Sequence, residues 1–144
     1  MKIRIKCIPP KATAQGSSRV LFNKNTGMYR IGRKSDSNAS MAKHNLCLHL
    51  KPYVPKNKYD SPLAVCVEWI YPFRKNEKKI YINQGYRWCD KRPDCDNLMK
   101  LLFDAMTYMG FWHDDSLISK VEFSKLWGEE PGINIDITEI RSGL

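Results

Sequence analysis

Long apolar runs and paired cysteines are both missing from this 144-residue chain. No stretch approaches the roughly 20 consecutive apolar residues that a helix needs to cross a bilayer, so we expect no membrane association. Residues 1–6 alternate apolar and basic side chains, whereas a secretory signal peptide has a continuous apolar segment. The sequence therefore predicts a protein that stays in the cytoplasm.

The five cysteines are odd in number and include no C-x-x-C pair, which argues against a disulfide framework. Cys7 and Cys66 lie in apolar, strand-like runs and are expected to be small core residues. His44, Cys47 and His49 could be interpreted as a metal cluster, although their spacing matches no common zinc site. Cysteine usage thus agrees with a reducing compartment.

Glycine motifs that hold nucleotide cofactors are absent as well. The chain contains neither the G-x-x-x-x-G-K-[ST] loop of P-loop enzymes nor the G-x-G-x-x-G fingerprint of dinucleotide-binding folds. These absences make most chemistry that depends on a bound nucleotide cofactor a poor interpretation.

Acidic residues are absent from the first 35 positions. Residues 1–59 hold 13 Lys or Arg and one acid, whereas residues 60–144 hold 11 basic and 14 acidic residues. A basic half joined to an acidic half predicts a polyanion partner and a separate acidic site. The alternative is a solvated surface that serves solubility, but the long acid-free stretch favours nucleic acid as the partner.

Hydrophobic periodicity predicts the element order β-α-β-α-β-β. Alternation indicates strands over residues 2–8 and 63–71, and helical spacing indicates helices over 37–50 and 94–109. Two more strands follow, one with Leu117, Val121 and Phe123 on one face and one with Ile133, Ile135 and Ile137 on one face. The order predicts a single α+β domain over residues 1–144, with a mixed sheet and helices packed on it.

Three connections complete this prediction. The turn at residues 25–27 could close a small hairpin within the polar, basic stretch 11–35. Residues 73–93 are interpreted as a long charged loop. Residues 128–132 are expected to join the last two strands as an antiparallel hairpin.

The helix over 94–109 has an apolar arc of about 200°, and a one-sided surface helix needs only about half that width. Met99, Phe103 and Met106 form the additional stripe, which must contact something else. Either a second subunit or the chain's own loops could cover it, and we favour a homodimer.

Two pairs of acids lie at the ends of predicted elements. Asp94 and Asp96 open the long helix, and the pair Asp114-Asp115 precedes the next strand. If that strand runs beside the start of the helix, the pairs could meet and bind a hard cation such as Mg²⁺ through carboxylate oxygens. Lys100 lies four residues after Asp96 on the same helical face. A metal centre with a cation alongside suits phosphodiester hydrolysis.

Each acid also has a simpler structural explanation. Asp94 is often a helix cap, and Asp96 with Lys100 is often an exposed ion pair that contributes about 0.3–0.5 kcal/mol. Asp114-Asp115 by itself is often a polar turn. Only their combination on a polyanion-binding chain favours a metal site.

Three blocks of sequence resemble one family. The run RPDCDNLMK from Arg92 to Lys100 resembles the D-x-D-N-L-x-K signature of the RusA family of Holliday junction resolvases. The run GFWHDD from Gly110 to Asp115 is similar to the family's G-x-x-x-D-D block ahead of a strand. Glu129–Gly132 precedes an apolar strand in the same way. The blocks occur in order and cover about residues 91–140, while the basic segment before residue 60 agrees mainly in charge and element order.

The resemblance implies a homodimeric, Mg²⁺-dependent endodeoxyribonuclease, with Mn²⁺ as a possible substitute. It implies that four-way DNA junctions are resolved by paired symmetric nicks in DNA recombination and repair, in the cytoplasm of a bacterial or phage-infected cell. Catalysis is assigned to Asp94, Asp96, Lys100 and Asp115, and metal binding to the three aspartates, with Asp114 auxiliary. For DNA contact we expect a set of basic residues: Lys11, Arg19, Lys24, Arg30, Arg33, Lys34, Lys91 and Arg92.

Two other interpretations stay open at this point. The chain could be a non-catalytic basic DNA-binding module whose acids are caps and surface pairs. It could also be a structure-selective nuclease that acts on RNA or on other branched DNA.

Overall fold

A computed structural model describes residues 1–11, 18–33 and 37–141, so Lys34 lies outside the described residues. The described parts of the chain contain ten strands and helices, together with two short 3₁₀ turns at Lys51–Tyr53 and Asp115–Leu117. No helix among them combines the length and the apolar character needed to span a membrane. The elements are β1 (Lys2–Ile5), β2 (Ser18–Asn23), β3 (Met28–Arg33), α1 (Ser37–Leu50), β4 (Leu63–Pro72), α2 (Lys79–Gln84), β5 (Tyr86–Trp88), α3 (Cys95–Met109), β6 (Ile118–Gly128) and β7 (Gly132–Glu139).

Five strands form one mixed sheet in the order β1-β7-β4-β6-β5. β4 and β6 run parallel, and the other neighbouring pairs are antiparallel. The predicted α+β class with a mixed sheet is therefore confirmed. That the whole chain forms a single domain stays a prediction from its length.

The central strand β4 buries one face and exposes the other. Leu63, Val65, Val67, Trp69 and Tyr71 are at most 2% exposed, because alternate side chains of a strand point to the same face. Cys66 falls on the opposite face and is exposed, so its prediction as a core residue was wrong. The alternation that predicted the strand also predicts this orientation for Cys66.

The predicted hairpin between the last two strands was wrong, because β4 lies between β6 and β7. Residues 129–131 carry the chain past the end of β4 instead of folding it back on β6. Glycine is needed at position 132 because the backbone of β1 passes close to it, and not because of a hairpin turn. Its φ is +158°, and a Cβ there would collide with the backbone oxygen of Ile5 in β1.

The stretch 73–93 is more ordered than predicted, since it contains α2 and β5. Gly85, at φ +90°, ends α2 in the left-handed conformation that favours glycine. β5 then pairs with the end of β6, with Tyr86 opposite Gly128. A three-residue edge strand leaves too short an alternation to be recognised in the sequence.

The predicted small hairpin is confirmed, since β2 and β3 pair antiparallel as a separate two-stranded sheet. The N–H of Gly27, at φ +67°, donates to the carbonyl oxygen of Asn23 at 2.8 Å and closes the turn. The turn chemistry alone was sufficient to predict this element.

The wide apolar arc of α3 is covered within the chain. Met106 is fully buried and Phe103 is 7% exposed, because α1 packs against α3 and Phe103 meets Trp112 edge-on at 6.1 Å. The Sγ of Cys47 in α1 lies 4.0 Å from the carbonyl oxygen of Ala105. The additional stripe therefore needs no second subunit to bury it.

Leu98 and Leu48 form a matched pair that tests this packing. Leu98 in α3 is fully buried, whereas Leu48 in α1 is 57% exposed. We expect Leu98→Ala to lower the free energy of unfolding by about 2–5 kcal/mol, because it leaves a cavity in the core. Leu48→Ala should change it by less than about 0.5 kcal/mol. Urea unfolding measures both, and equal losses would contradict the described orientation of the helices.

Candidate active site

Asp94 stands at the start of α3 with its carboxylate unused by the helix. Its backbone is extended, with φ −72° and ψ 149°, and its carbonyl oxygen accepts from the N–H of Leu98 at 3.1 Å. The Asp94 side chain makes no capping hydrogen bond, and it is exposed. Asp94 thus occupies the cap position, but the cap does not engage its carboxylate oxygens.

Lys125 of β6 fixes the loop that leads into α3. Its Nζ donates to the carbonyl oxygen of Pro93 at 2.6 Å and also to that of Lys91. The N–H of Cys89 donates to the carbonyl oxygen of Lys125 at 2.9 Å. These bonds tie the first turn of α3, and with it Asp94, to the sheet.

A polar stripe runs along α3 on the side away from the core, formed by Asp96, Lys100 and Asp104. Residues four apart lie on the same helical face, about 6 Å apart along the axis. Asp96 and Lys100 are exposed, and Asp104 is half-buried. Among the described residues the ion pairs within 4.0 Å do not include Asp96 with Lys100, so the simple surface pair does not form. Sequence reasoning missed Asp104, although its spacing from Lys100 was a usable signal.

Asp114 and Asp115 have different environments. The Oδ1 of Asp114 accepts from the N–H of Ser116 at 2.7 Å and caps the 3₁₀ turn. This backbone hydrogen bond lowers the pKa of Asp114. The polar-turn explanation therefore holds for Asp114.

Asp115 instead lies within electrostatic range of the polar stripe. Partial burial raises the pKa of Asp115, and the carboxyl groups of Asp114 and Asp104 raise it further, while the Lys100 ammonium lowers it. The charges of Lys100 and Asp104 thus both act on Asp115. The predicted meeting of the two acidic pairs stays a prediction, because neither Asp94 nor Asp96 is among the charges that shift the pKa of Asp115.

The donor set is chemically suited to Mg²⁺, which takes oxygen ligands and commonly only one or two protein carboxylates, with water and substrate phosphate in the remaining positions. The Oδ1 of Asn97, the residue after Asp96, is buried without a hydrogen-bond partner. In the ranges that the structure describes, no three His, Cys, Asp or Glu side chains are grouped to hold a metal ion. Asp94 and Asp96 are thus not gathered with Asp115 into one closed ligand set.

A cavity of about 380 Å³ lies next to the loop that enters α3, and we call it the basic cavity. No acid is among its described lining residues. Three of the predicted DNA contacts meet here, together with an arginine that the sequence reasoning missed. The cationic lining residues are Lys11, Arg74, Lys91 and Arg92, and the aromatic ones are Tyr71, Phe73 and Trp127.

Four of the remaining predicted DNA contacts belong to the β2–β3 hairpin, and Lys34 lies outside the described residues. Lys24 in its turn and Arg30 in β3 are exposed. Arg19 and Arg33 lie at the same end of the β2–β3 ladder, away from the turn, with Arg19 paired to Gly32 and Arg33 to Ser18, but their side chains lie outside what the structure describes.

Comparison with known proteins agrees with these motifs. The sequence profile described as Endodeoxyribonuclease RusA matches residues 3–138. Crossover junction endodeoxyribonuclease rusA of Lactococcus phage r1t is 33% identical over 99 residues, which are 67% of this chain and 71% of that protein. Uncharacterized protein YqaN of Bacillus subtilis (strain 168) is 23% identical over 116 residues, 77% of this chain and 81% of that protein. Crossover junction endodeoxyribonuclease RusA of Escherichia coli O139:H28 is 42% identical over 50 residues, 34% of this chain and 42% of that protein.

The chain therefore belongs to the RusA family of endodeoxyribonucleases, and its resemblance to that family is confirmed. It is an enzyme that hydrolyses phosphodiester bonds of DNA. The match begins at residue 3, so it also includes the basic first half, which resembled the family mainly in charge.

The two adjacent aspartates should affect stability in opposite directions. Because the pKa of Asp115 is raised, its ionisation destabilises the fold as pH rises through that pKa, so Asp115→Ala should raise the melting temperature at pH 7. The pKa of Asp114 is lowered, so its ionised form stabilises the fold, and Asp114→Ala should lower the melting temperature.

Differential scanning calorimetry at pH 7 and near pH 3 measures both effects. The difference for Asp115→Ala should shrink at the lower pH, where its carboxyl group becomes protonated, and the difference for Asp114→Ala should shrink less, because a lowered pKa keeps Asp114 ionised to lower pH. Two melting temperatures that move in the same direction at pH 7 would contradict the described environments.

Proposed function

We propose that this protein is a Mg²⁺-dependent crossover junction endodeoxyribonuclease that resolves four-way DNA junctions by paired symmetric nicks. The observation that carries the proposal is the polar stripe of α3, whose charges act on Asp115, together with a basic cavity lined by the loop that enters the same helix. The names of two relatives support the junction as substrate. A role in DNA recombination and repair, in the cytoplasm of a bacterial or phage-infected cell, follows from the same proposal.

In this proposal Asp94, Asp96 and Asp115 would hold the divalent ion, with Mn²⁺ as a possible substitute. When bound, Mg²⁺ supplies a Lewis acid that polarises a phosphate oxygen and lowers the pKa of an attacking water. Lys100 would place its ammonium beside the negative charge that develops on the phosphate oxygens. Water attack on phosphorus with loss of the 3′ oxygen leaves 5′-phosphate and 3′-hydroxyl ends.

The basic residues would hold the arms of the junction. Lys24 and Arg30 on the hairpin, with Arg19, Arg33 and Lys34, would contact phosphates, as Lys11, Lys91 and Arg92 would at the basic cavity. Such contacts provide salt-dependent affinity and carry no sequence information.

A homodimer would explain why the nicks are paired, because a two-fold axis carries two copies of one site. Half-buried Leu117 and Ile118 and exposed Val121 lie just after Asp115, where a partner subunit could cover them. Sedimentation equilibrium measures the mass in solution, and a monomer at junction-cleaving concentrations would contradict this part of the proposal.

Asp94→Asn tests the enzyme mechanism directly. We expect cleavage of a synthetic four-way junction to fall at least about 100-fold, because a ligand and a negative charge are lost from the site. Junction binding should persist. Asp90→Asn is the matched control, since Asp90 is exposed four residues earlier and should leave cleavage unchanged.

The assay compares Mg²⁺ with EDTA and the junction with structured RNA. Unchanged nicking by Asp94→Asn with Mg²⁺ present would overturn the mechanism. Faster cleavage of the RNA than of the junction would overturn the substrate.

Removing Arg30 and Arg33 together tests the role of the hairpin. The double change to Ala should weaken binding to many DNA shapes alike. It should also reduce the slope of log K against log salt by the contribution of about two phosphate contacts. Fluorescence anisotropy at several salt concentrations measures this slope. An altered sequence preference without a change in slope would contradict the phosphate assignment.

A further inference from the structure

Arg74, at the edge of the basic cavity, is held on two sides. Its guanidinium lies over the ring of Trp127, 4.4 Å from the centroid, and its Nε lies 3.8 Å from the Glu77 carboxylate. The Arg74 side chain is nevertheless 47% exposed. Its conformation is therefore restrained while outward-facing N–H groups remain available to a ligand.

Glu77 is the residue that organises this cluster. Its side chain is only 3% exposed, and Arg87 donates to it at 2.9 Å. Arg87 also lies over the rings of Trp127 and Tyr81. Burial opposes ionisation of Glu77, but the hydrogen bond and charge of Arg87, with Arg74, outweigh burial and lower its pKa. One buried carboxylate thus ties two guanidinium groups to one indole ring.

Lys11, which also lines the cavity, is placed in a comparable way. The hydroxyl of Tyr71 donates to the carbonyl oxygen of Pro10 at 3.0 Å, and the Nζ of Lys11 lies 5.9 Å from the centroid of the Tyr71 ring. Burial raises the pKa of Tyr71 to about 12, so the hydroxyl remains a donor at neutral pH. The cavity is therefore lined by cationic side chains from several parts of the chain.

We propose that the basic cavity is a binding site for one backbone phosphate of the DNA strand, with Arg74 as the residue that grips it and Glu77 as its positioning residue. The inference rests on the proposed function for DNA as the ligand. A guanidinium matches two phosphate oxygens with its planar fork, and one that is already held in place loses less entropy on binding. Because Lys91 and Arg92 lie two to three residues before Asp94, a phosphate here is adjacent to the start of α3.

Junction binding in EDTA tests the site apart from cleavage. We expect Arg74→Ala to weaken binding about tenfold, because a charge-assisted contact is lost. The slope of log K against log salt should fall by the contribution of about one phosphate contact. The matched control is Lys75→Ala, which removes the same charge one residue away, from a wall of the neighbouring cavity. The control should weaken binding less than twofold.

Glu77→Gln gives a test of opposite sign. Simple electrostatics predicts tighter DNA binding when a negative charge is removed. The positioning role predicts weaker binding, by about three- to tenfold, because Arg74 and Arg87 lose their shared anchor. A nuclear magnetic resonance titration of wild type with the dinucleotide TpT adds a direct measurement, in which the Nε–Hε signal of Arg74 should shift.

The results decide the inference without reference to nicking. Any one of three results would overturn the inference. These are equal effects of Arg74→Ala and Lys75→Ala on binding, tighter DNA binding by folded Glu77→Gln, and an Arg74 Nε–Hε signal that does not shift when TpT is added. If Glu77→Gln does not fold, the comparison of Arg74→Ala with Lys75→Ala and the TpT titration still test the inference. If the wild-type protein does not nick a four-way junction with Mg²⁺ present, that result would instead contradict the proposed function and would not affect these binding results.

Discussion

The buried face of α3 is the constraint on which the rest of the structure depends. Leu98, Leu101, Leu102 and Met106 are at most 1% exposed, packed between the sheet and α1. Fully burying one such side chain contributes about 1.5–3 kcal/mol, so the helix cannot rotate without losing much of the core. The polar stripe on its other side must therefore keep its direction, and Asp115 is placed relative to that stripe by the short turn that follows the helix.

Much of this arrangement could be predicted from local patterns. The bounds of α1 and α3, the alternation of β4 and the β2–β3 turn all follow from side-chain periodicity, caps and turn residues. These signals lie within a few residues of each other, so one sequence is enough to read them. The acids near the two ends of α3 were singled out for the same reason, because they occur in pairs at element boundaries of a chain with a net positive charge.

The features that were missed depend on contacts between distant residues. Nothing local to residues 128–132 shows that β4 separates β6 from β7, and the close approach of Gly132 to Ile5 exists only in the folded sheet. The loop before α3 is held by Lys125, more than 30 residues later in the chain. The grouping of Arg74 with Lys11 at one cavity likewise arises because the ends of distant segments meet. Charge composition predicted the kind of partner but could not place these contacts.

The proposed metal site would take its carboxylate ligands from both ends of α3, beside Lys100. Electron paramagnetic resonance of Mn²⁺, titrated into wild type and into Asp96→Asn and Asp115→Asn with a junction bound, counts the ions held by each chain. The account predicts a Mn²⁺ site in every wild-type chain that is lost or at least tenfold weaker in both variants. Mn²⁺ binding that is the same in all three proteins would contradict it.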